Sequence, residues 1–445
     1  MVLTLLFLSF NFNSLHVADT KEFSNYQHDT ESLIIGRMVR SRQLGIISDG
    51  GLTGAGIHND IHTDWISPEQ VQNQYLAYLE GRTFTEYSPY LSQTGGQAFL
   101  FSLLDNILPF PPQTRLTIFY LVTSLLSAIV LTWICLWFFE EFGLWVAILI
   151  ACSMIFSPIM IVLGRNLWWS LWVFYLPMIM VMEFLKRNNM DGNRFIIWWA
   201  ALIFGLVLVK CILNGYEYIT TTLIMMVTPF VYYTLRDRLS GRQFLTGFFV
   251  AIMSSLLAVL ISFSLLSFQV AAAKGIGLAG GVHHIAISLL KRTYGNPQAF
   301  PVIYAASLSA TTGEVVAKYL KDSFIDLNPF MPTSNSFLAQ YIFKIRYVYL
   351  IGLFLAMSIL AFLQTRSIRQ LPDLKQKKLA LIAATWFSIL APLSWYIIFK
   401  AHSFIHTHLN NILWQMPFLL FGFAVCGVAI NGILPRVNKP AEMQE

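Results

Sequence analysis

Asp29 and Glu31, in the run His28-Asp29-Thr30-Glu31, are carboxylates two residues apart. They stand at the front of residues 30–42, whose apolar side would be Leu33, Ile34, Met38 and Val39. A carboxylate so placed can act as a general base toward an acceptor hydroxyl or amine, or can hold a divalent metal ion. The plain alternative is helix capping, with Asp29 as N-cap and acidic charge in the first turn. A second group, Lys400-Ala401-His402-Ser403-Phe404-Ile405-His406-Thr407-His408, gathers three histidines and a lysine in nine residues. His402 and His406 are spaced i, i+4, as are His58 and His62, so each pair shares a helix face and such pairs can bind zinc. With Lys400 the strip can equally clasp a phosphate. Phosphate ranks above metal because no cysteine or clear aspartate ligand accompanies the histidines. Interfacial polar residues without a partner are the alternative.

Further candidates are more scattered. Tyr87-Ser88-Pro89-Tyr90 leads through Gln93, Gly95, Gly96 and Gln97 into an apolar segment at 98–108. That order predicts a helix lying along the membrane surface, with tyrosine and glutamine side chains available to a sugar and the glycines allowing close backbone approach. An ordinary interfacial helix with an aromatic anchor fits the same residues. Lys210 and Glu217 bracket the end of an apolar run, and Arg165 heads Arg165-Asn166-Leu167-Trp168-Trp169. Lys210 either snorkels to the interface or, with Arg165, neutralises a phosphate or pyrophosphate. Trp168, Trp169 and Trp172 read as aromatic-belt residues. No P-loop, dinucleotide fingerprint, HExxH or Gly-x-Ser-x-Gly is present.

These residues need a frame, and the composition supplies a membrane one. The 445-residue chain is 56% hydrophobic and only 12% charged, which excludes disorder and departs from a soluble domain. Apolar runs near 116–139, 144–163, 167–185, 195–213, 219–235, 244–270, 347–363, 379–399 and 412–434 approach or exceed the roughly 20 residues a helix needs to span a bilayer. Residues 1–12 are short for a span and lack the basic flank and cleavage site of a signal peptide. They read as the end of a first span, with or without residues missing ahead of them. The expectation is an all-α polytopic membrane protein of about ten transmembrane helices. A large first outer loop at 13–113 carries amphipathic and juxtamembrane helices, spans fill 114–270, and a second outer loop covers 271–346. Spans at 347–435 and a cytoplasmic tail at 436–445 complete it. Within the second loop, helices are expected at 282–292 and 312–323, separated by Gly295, Pro297, Pro301, Pro329 and Pro332.

Charge sets the orientation. Lys186, Arg187 and Arg194, then Arg236, Arg238 and Arg242, then Arg366, Arg369, Lys375, Lys377 and Lys378, and finally Arg436 and Lys439 all fall on one side. The short opposite loops hold only Arg165 and Lys400, so the positive-inside rule puts both termini in the cytoplasm and the long first loop outside. All nine histidines then lie outside, and no ionisable residue falls mid-span, where ion-coupled transporters usually keep one. Cys135, Cys152, Cys211 and Cys426 sit in apolar runs and read as small buried hydrophobes.

This layout resembles the GT-C superfamily of integral-membrane glycosyltransferases, which includes the lipid A aminoarabinose transferase and the protein O-mannosyltransferases. The likeness is architectural over most of the chain: one span, a large outer loop with an acidic motif, then many spans. At residue level, Asp29-Thr30-Glu31 followed by Gly36-Arg37-Met38-Val39 and Gly45 is similar to the acidic pair and amphipathic helix that begin the family's first loop. Thr30 departs from the commonly adjacent acidic pair. Tyr87-Ser88-Pro89 leading into residues 93–97 is similar to the second juxtamembrane helix.

The resemblance implies Asp29 as catalytic base with Glu31 assisting, in an inverting transfer from a polyprenyl-phosphate-linked sugar. The acceptor would be a glycan, lipid or protein at the outer face of the cytoplasmic membrane. Arg165, Lys210, Lys400 and His402 would hold the donor phosphate, whose charge grows in the transition state. Tyr87, Tyr90, Gln93, Gln97, Glu217, His406 and His408 would contact substrate. The strip at 402–408 has no counterpart in the resemblance and rests on chemistry and location. The scheme needs no nucleic acid and no certain cofactor, a divalent metal ion being left open. A lipid-linked oligosaccharide polymerase or ligase is the nearest alternative. A lipid-linked-sugar flippase or transporter is the non-enzymatic one.

Overall fold

The computed structural model describes residues 1–57, 67–188, 190, 192–328, 335–367 and 372–433. The His58/His62 pair, Pro329, Pro332, Arg369 and the expected tail with Arg436 and Lys439 lie outside the described residues.

The chain opens with α1 (Val2–Phe12), α2 (Thr20–Asn25) and α3 (His28–Leu44). Strand β1 (Gly54–Ile57), α4 (Pro68–Glu80), β2 (Glu86–Pro89) and α5 (Gly96–Ile107) complete the first loop region. The bundle follows as α6 (Pro112–Phe142), α7 (Leu144–Ile155), α8 (Pro158–Leu163), α9 (Leu171–Arg187), α10 (Gly192–Asn214), α11 (Ile219–Arg236) and α12 (Gly241–Lys274). The second loop region holds α13 (Leu278–Arg292), α14 (Ala305–Ser309), α15 (Thr312–Lys321), β3 (Ser323–Asp326) and β4 (Lys344–Arg346). Last come α16 (Tyr347–Ser367), α17 (Pro372–Ser388), α18 (Leu390–Ile398), α19 (Lys400–Ile405), α20 (Thr407–Asn410) and α21 (Phe418–Asn431). Among the described residues the sheet content is two antiparallel ribbons, β1 with β2 and β3 with β4. Local signals set many of these ends. Ser67 caps α4 ahead of Pro68, Ser240 and Gln243 form a capping box on α12, and Thr311 and Glu314 form another on α15.

The architecture is that of an all-α membrane protein, with fewer qualifying spans than hydropathy suggests. Five described helices are long and apolar enough to cross a membrane: α6, α10, α12, α16 and the rod at Pro372–Ile398 formed by α17 and α18. A sixth is added if Thr407–Gln415 and Phe418–Asn431, bent by 41°, make one crossing. The expectation of about ten is therefore not met by length and composition. The run at 144–163 breaks at Ser157-Pro158 into α7 and α8, and the run at 167–185 becomes helical only at Leu171. Helices α9 and α11 are buried over much of their surface, and hydropathy cannot tell a helix enclosed by neighbours from one facing lipid. By contrast α12 exposes Leu245, Phe249, Leu256 and Leu260 along its length, as a lipid-facing helix does.

The two ends of the bundle are chemically distinct. At one end Glu141 accepts from Arg236 at 3.2 Å and from Tyr232 at 2.9 Å, and Lys377 lies 3.3 Å away. Glu140 pairs with Lys186 beside it. These contacts bring the Lys- and Arg-rich loops after α9, α11 and α16 to the foot of α6, so the loops grouped by charge share one face. The opposite end carries the first and second loop regions together with the 164–170 and 399–417 connections, and is called the site end below.

At the site end the first loop folds as a packed layer. The helix expected over 30–42 is present as α3, but residues 31–39 are buried on all sides, so it lacks the exposed polar face of an amphipathic helix. The reason is tertiary: α4, α5 and the β1–β2 ribbon enclose it. A Cβ on Gly36 would sit 2.4 Å from the Gly54 carbonyl oxygen, so only glycine permits that approach. A Cβ on Gly96 would meet the Ile212 carbonyl at 2.4 Å, which confirms the close backbone approach expected of Gly95-Gly96, here against α10. Helix α5 itself exposes Phe99, Leu100, Leu103 and Leu104, in keeping with a juxtamembrane helix.

Charge fastens this layer. Buried Asp105 accepts Arg42 at 2.6 and 2.8 Å and Tyr78 Oη at 2.6 Å, and lies 3.3 Å from Arg115. Asp105→Ala would leave two guanidinium groups without their carboxylate, at a cost of about 3–5 kcal/mol. A fall in the thermal midpoint of the detergent-solubilised protein is expected, and an unchanged midpoint contradicts the assignment.

Candidate functional site

The two carboxylates of the acidic motif have different surroundings. Gln27, in the left-handed region at φ 57°, occupies the N-cap of α3 without a side-chain bond. Asp29 is therefore not the cap. Its half-buried carboxylate makes no side-chain hydrogen bond or ion pair among the described residues. Its charge reaches Tyr26, His406 and His408. Glu31 is buried and saturated. Tyr75 and Tyr120 each donate to Oε1 at 2.7 Å, and the Leu167 backbone N–H donates to Oε2 at 2.8 Å. A carboxylate holding three donors away from water is a strut between α4, α6 and the 164–170 connection. That role replaces the assisting catalytic one expected of Glu31.

The four expected phosphate ligands also part company. Arg165 stays at the site end, donating to the Asn11 and Phe23 carbonyls at 3.2 and 3.3 Å, with no carboxylate paired to it among the described residues. It helps line a cavity of about 200 Å³ together with Glu31, Tyr26, His28 and Tyr120. Lys210 does not snorkel. It is buried, and its ammonium donates to the Gly215 carbonyl at 2.8 Å and to the Glu217 carbonyl. It thereby closes the turn after α10, whose last carbonyls have no helical partner. Lys400 does the same for α14, donating to Leu308 and Ala310 carbonyls at 2.7 and 2.6 Å. Both lysines thus donate to backbone carbonyls, as Arg165 does.

His402 is corrected in a different sense. Helix α19 ends at Ile405, yet the His402 and His406 rings remain 4.5 Å apart between centroids. Burial pushes the His402 imidazole down to about 3 and also lowers His406. Neutral imidazoles offer hydrogen bonds but not the positive charge a phosphate clasp needs. Among the described residues no group of three or more His, Cys, Asp or Glu side chains is placed to hold a metal ion.

Two of the residues expected to touch substrate, Tyr90 and Glu217, meet at a partner the sequence did not reveal. Arg292, the last residue of α13, donates to Glu217 Oε1 at 2.8 Å and to Tyr90 Oη at 3.0 Å. Burial raises the Glu217 carboxyl, but Arg292 together with His402, Lys210 and His406 outweighs it and holds the group below its usual range. Among the described residues Glu217 Oε2 has no hydrogen-bond partner, lying 3.9 Å from His402 Nε2, and His402 Nδ1 is also unpartnered. Gln93 packs against Gly215 in the same turn, and both its amide atoms are buried without partners. Gln97, four residues on, has the same two unpartnered atoms, as does Asn214 at Oδ1. Trp168 meets Tyr90 edge-on at 5.4 Å. Tyr87 stands apart from this group: it lies in β2 and its Oη donates to the Leu52 carbonyl at 3.0 Å. His408 lies at the rim, where its carbonyl accepts Tyr26 Oη at 2.9 Å. No spacing rule marks Arg292, because the contact joins loop regions distant in sequence.

Below this cluster an apolar groove of about 500 Å³ runs between α5, α10 and α12, lined by Phe99, Leu100, Ile212, Leu213 and Leu265. Its wall at Thr94 and Gly96 continues directly into the segment that carries Gln93 and Gln97.

The histidine environment sets a pH dependence. His402 binds a proton in the unfolded chain below its ordinary value of 6.5 but not in the folded one until about 3. Between those values the unfolded state holds more protons, so stability rises with pH. It is lost on acidification by about 1.4 kcal/mol per pH unit for this group. Thermal melts at about pH 5 and about pH 8 should show a lower midpoint in acid. His402→Asn should shrink that difference, and an equal difference in both proteins contradicts the assignment.

No family model, curated protein or solved structure matches the chain.

Proposed function

We propose that the protein is a membrane glycosyltransferase of the GT-C kind. It would move a sugar from a polyprenyl-phosphate donor to an acceptor on the outer face of the cytoplasmic membrane, the site end facing outward. One observation carries this reading: the buried polar atoms without partners among the described residues, mostly uncharged, on segments packed about the turn at residues 212–217. Gln93 is 2% exposed, Gln97 4%, Asn214 2% and Glu217 6%. Leaving such atoms without bonds costs about 1–3 kcal/mol each, so a fold that keeps several gathered implies a ligand or ordered water that completes them. Amides that both donate and accept, an ion pair of zero net charge and an aromatic edge suit a hydroxyl-rich ring. The adjoining apolar groove suits the donor's hydrocarbon chain.

In the proposed step an acceptor hydroxyl or amine attacks the anomeric carbon while Asp29 takes its proton. The bond from the anomeric carbon to the phosphate oxygen breaks with inversion, and the departing phosphate carries off the electron pair. Arg165, a cation without a carboxylate partner among the described residues, stabilises the growing negative charge. Asp29 needs no cap or strut duty in the folded chain, which leaves its carboxylate available as a base. Lys210, Lys400 and Glu31 act by holding turns and helices in place.

The test is transfer from a labelled polyprenyl-phosphate sugar in reconstituted membranes. Asp29→Asn should lower the rate by roughly 10²- to 10⁴-fold with an unchanged melting temperature. Glu31→Gln should instead lower the melting temperature, since it weakens a three-bond strut. Asp29→Asn at full activity, or transport of the intact donor without a covalent product, overturns the proposal.

A further inference from the structure

Away from the site end, a groove of about 190 Å³ lies in the bundle between α11 and α12, with Phe387 of α17 in its wall. Phe248, Ile252 and Val259 line it from α12, and Leu223 and Val227 from α11. Positions 248, 252, 255 and 259 recur at helical spacing, so one face of α12 forms a whole wall. Ile252 and Leu256 in that wall are 44% and 51% exposed, so the groove opens toward lipid. Among the described residues Ser255 is its one polar lining side chain. The volume falls below the roughly 300–1,000 Å³ usual for drug-sized ligands and suits a single hydrocarbon chain.

Cations gather where the same three helices reach the basic end. Arg238 and Arg242 flank the turn between α11 and α12, and both are exposed. Gln376 of α17 donates to the Leu235 carbonyl at 2.6 Å, which brings exposed Lys375 to that turn. Arg238, Arg242 and Lys375 make no side-chain hydrogen bond or ion pair among the described residues. Their neighbours are neutralised: Arg236 and Lys377 meet Glu141, and Arg236 also meets Asp237. Asp373, in the first turn of α17, leaves three positive charges against one negative. Exposed Leu235, Leu245 and Leu374 alternate with these cations along the chain. Depth joins the two features. Along α12, Phe248 is six residues from Arg242 and Val259 seventeen, roughly 9 and 26 Å at about 1.5 Å per residue. One headgroup layer and half the hydrocarbon core are together about 20 Å deep. The groove therefore starts where the acyl chains of a lipid with its head at Arg242 would run.

We propose that groove and cations together bind an anionic phospholipid of the leaflet at the basic end. One acyl chain lies in the groove, and the phosphate rests at Arg238, Arg242 and Lys375. Neither half is selective alone: an apolar furrow accepts any lipid chain, and basic residues at a membrane face attract anions without fixing them. Their coincidence on α11, α12 and α17 selects the charge of the head and holds the chain beneath it. Arginine grips a phosphate oxygen pair through two parallel N–H bonds, while the ammonium of a zwitterionic head meets the same cations unfavourably. The site is independent of the glycosyltransferase reading and of which side of the membrane the basic end faces.

Native mass spectrometry of the full chain in nonionic detergent tests this, with phosphatidylglycerol and phosphatidylcholine of matched chains as probes. Phosphatidylglycerol should bind in preference, and inorganic phosphate, an anion without chains, should not displace it. Arg238→Gln, Arg242→Gln and Lys375→Gln together should weaken its binding roughly tenfold or more. These three side chains make no bonds within the described fold, so the melting temperature should stay unchanged. Ile252→Trp fills the groove from an exposed position and should weaken phosphatidylglycerol by a similar factor. Lys186→Gln with Arg187→Gln removes two cations at the same end that already pair with Glu140 and Glu183, and should leave the affinity as it was. Equal binding of phosphatidylcholine, displacement by phosphate, or unchanged binding in either the triple variant or Ile252→Trp overturns the proposal. So does an equal loss in the Lys186 and Arg187 double variant, since attraction to the charged face as a whole then explains the binding.

Discussion

The Glu31 carboxylate is the point at which the polar first loop is tied to the apolar bundle. A buried charge is costly unless its lone pairs are filled, and Glu31 fills them from three separate pieces of chain. Tyr75 comes from α4, Tyr120 from α6 and the Leu167 N–H from the connection before α9. Because all three must be in place at once, the bond set fixes the height and rotation of α3 over the helices. Asp29, two residues earlier, is thereby held half-buried at the edge of the same layer, free of the bonds that occupy its neighbour.

The same division between holding and reacting recurs among the cations. Lys210 and Lys400 are drawn to carbonyl groups at the ends of helices, where helical geometry leaves acceptors unfilled. Arg292 bridges two loop regions through Glu217 and Tyr90. Arg165 is likewise held by carbonyl groups and an aromatic face, and it differs from the two lysines in helping to line the smaller cavity. The result is a site end with three chemical districts: a neutral polar cluster, a small cavity beside a guanidinium, and a larger acidic cavity. Tyr26 lines both cavities, and Asp29 acts on it electrostatically.

Much of the secondary structure could be read in advance because it follows from local rules. Capping boxes at Ser240 and Thr311 and the glycine in the left-handed region before α5 depend only on neighbours in sequence. The juxtamembrane helix at Gly96–Ile107 and the helices at Leu278–Arg292 and Thr312–Lys321 lie close to where patterning puts them. The span count was less legible, since apolar composition is the same whether a helix faces lipid or protein. The α3 segment was misjudged for a related reason: its polar face is covered by a ribbon and a helix that meet it only in three dimensions.

The sequence by itself determined that the chain is an all-α membrane protein, and that its basic loops belong at one end and its histidine- and acid-bearing loops at the other. Those are sums over composition and charge, which need no knowledge of contacts. Tertiary structure decided which polar residues are struts and which are unoccupied. Asp29 and Glu31 differ in sequence by two positions, yet one has no side-chain partner among the described residues and the other has three. Partners for a buried charge come from distant segments, so only their packing could assign them.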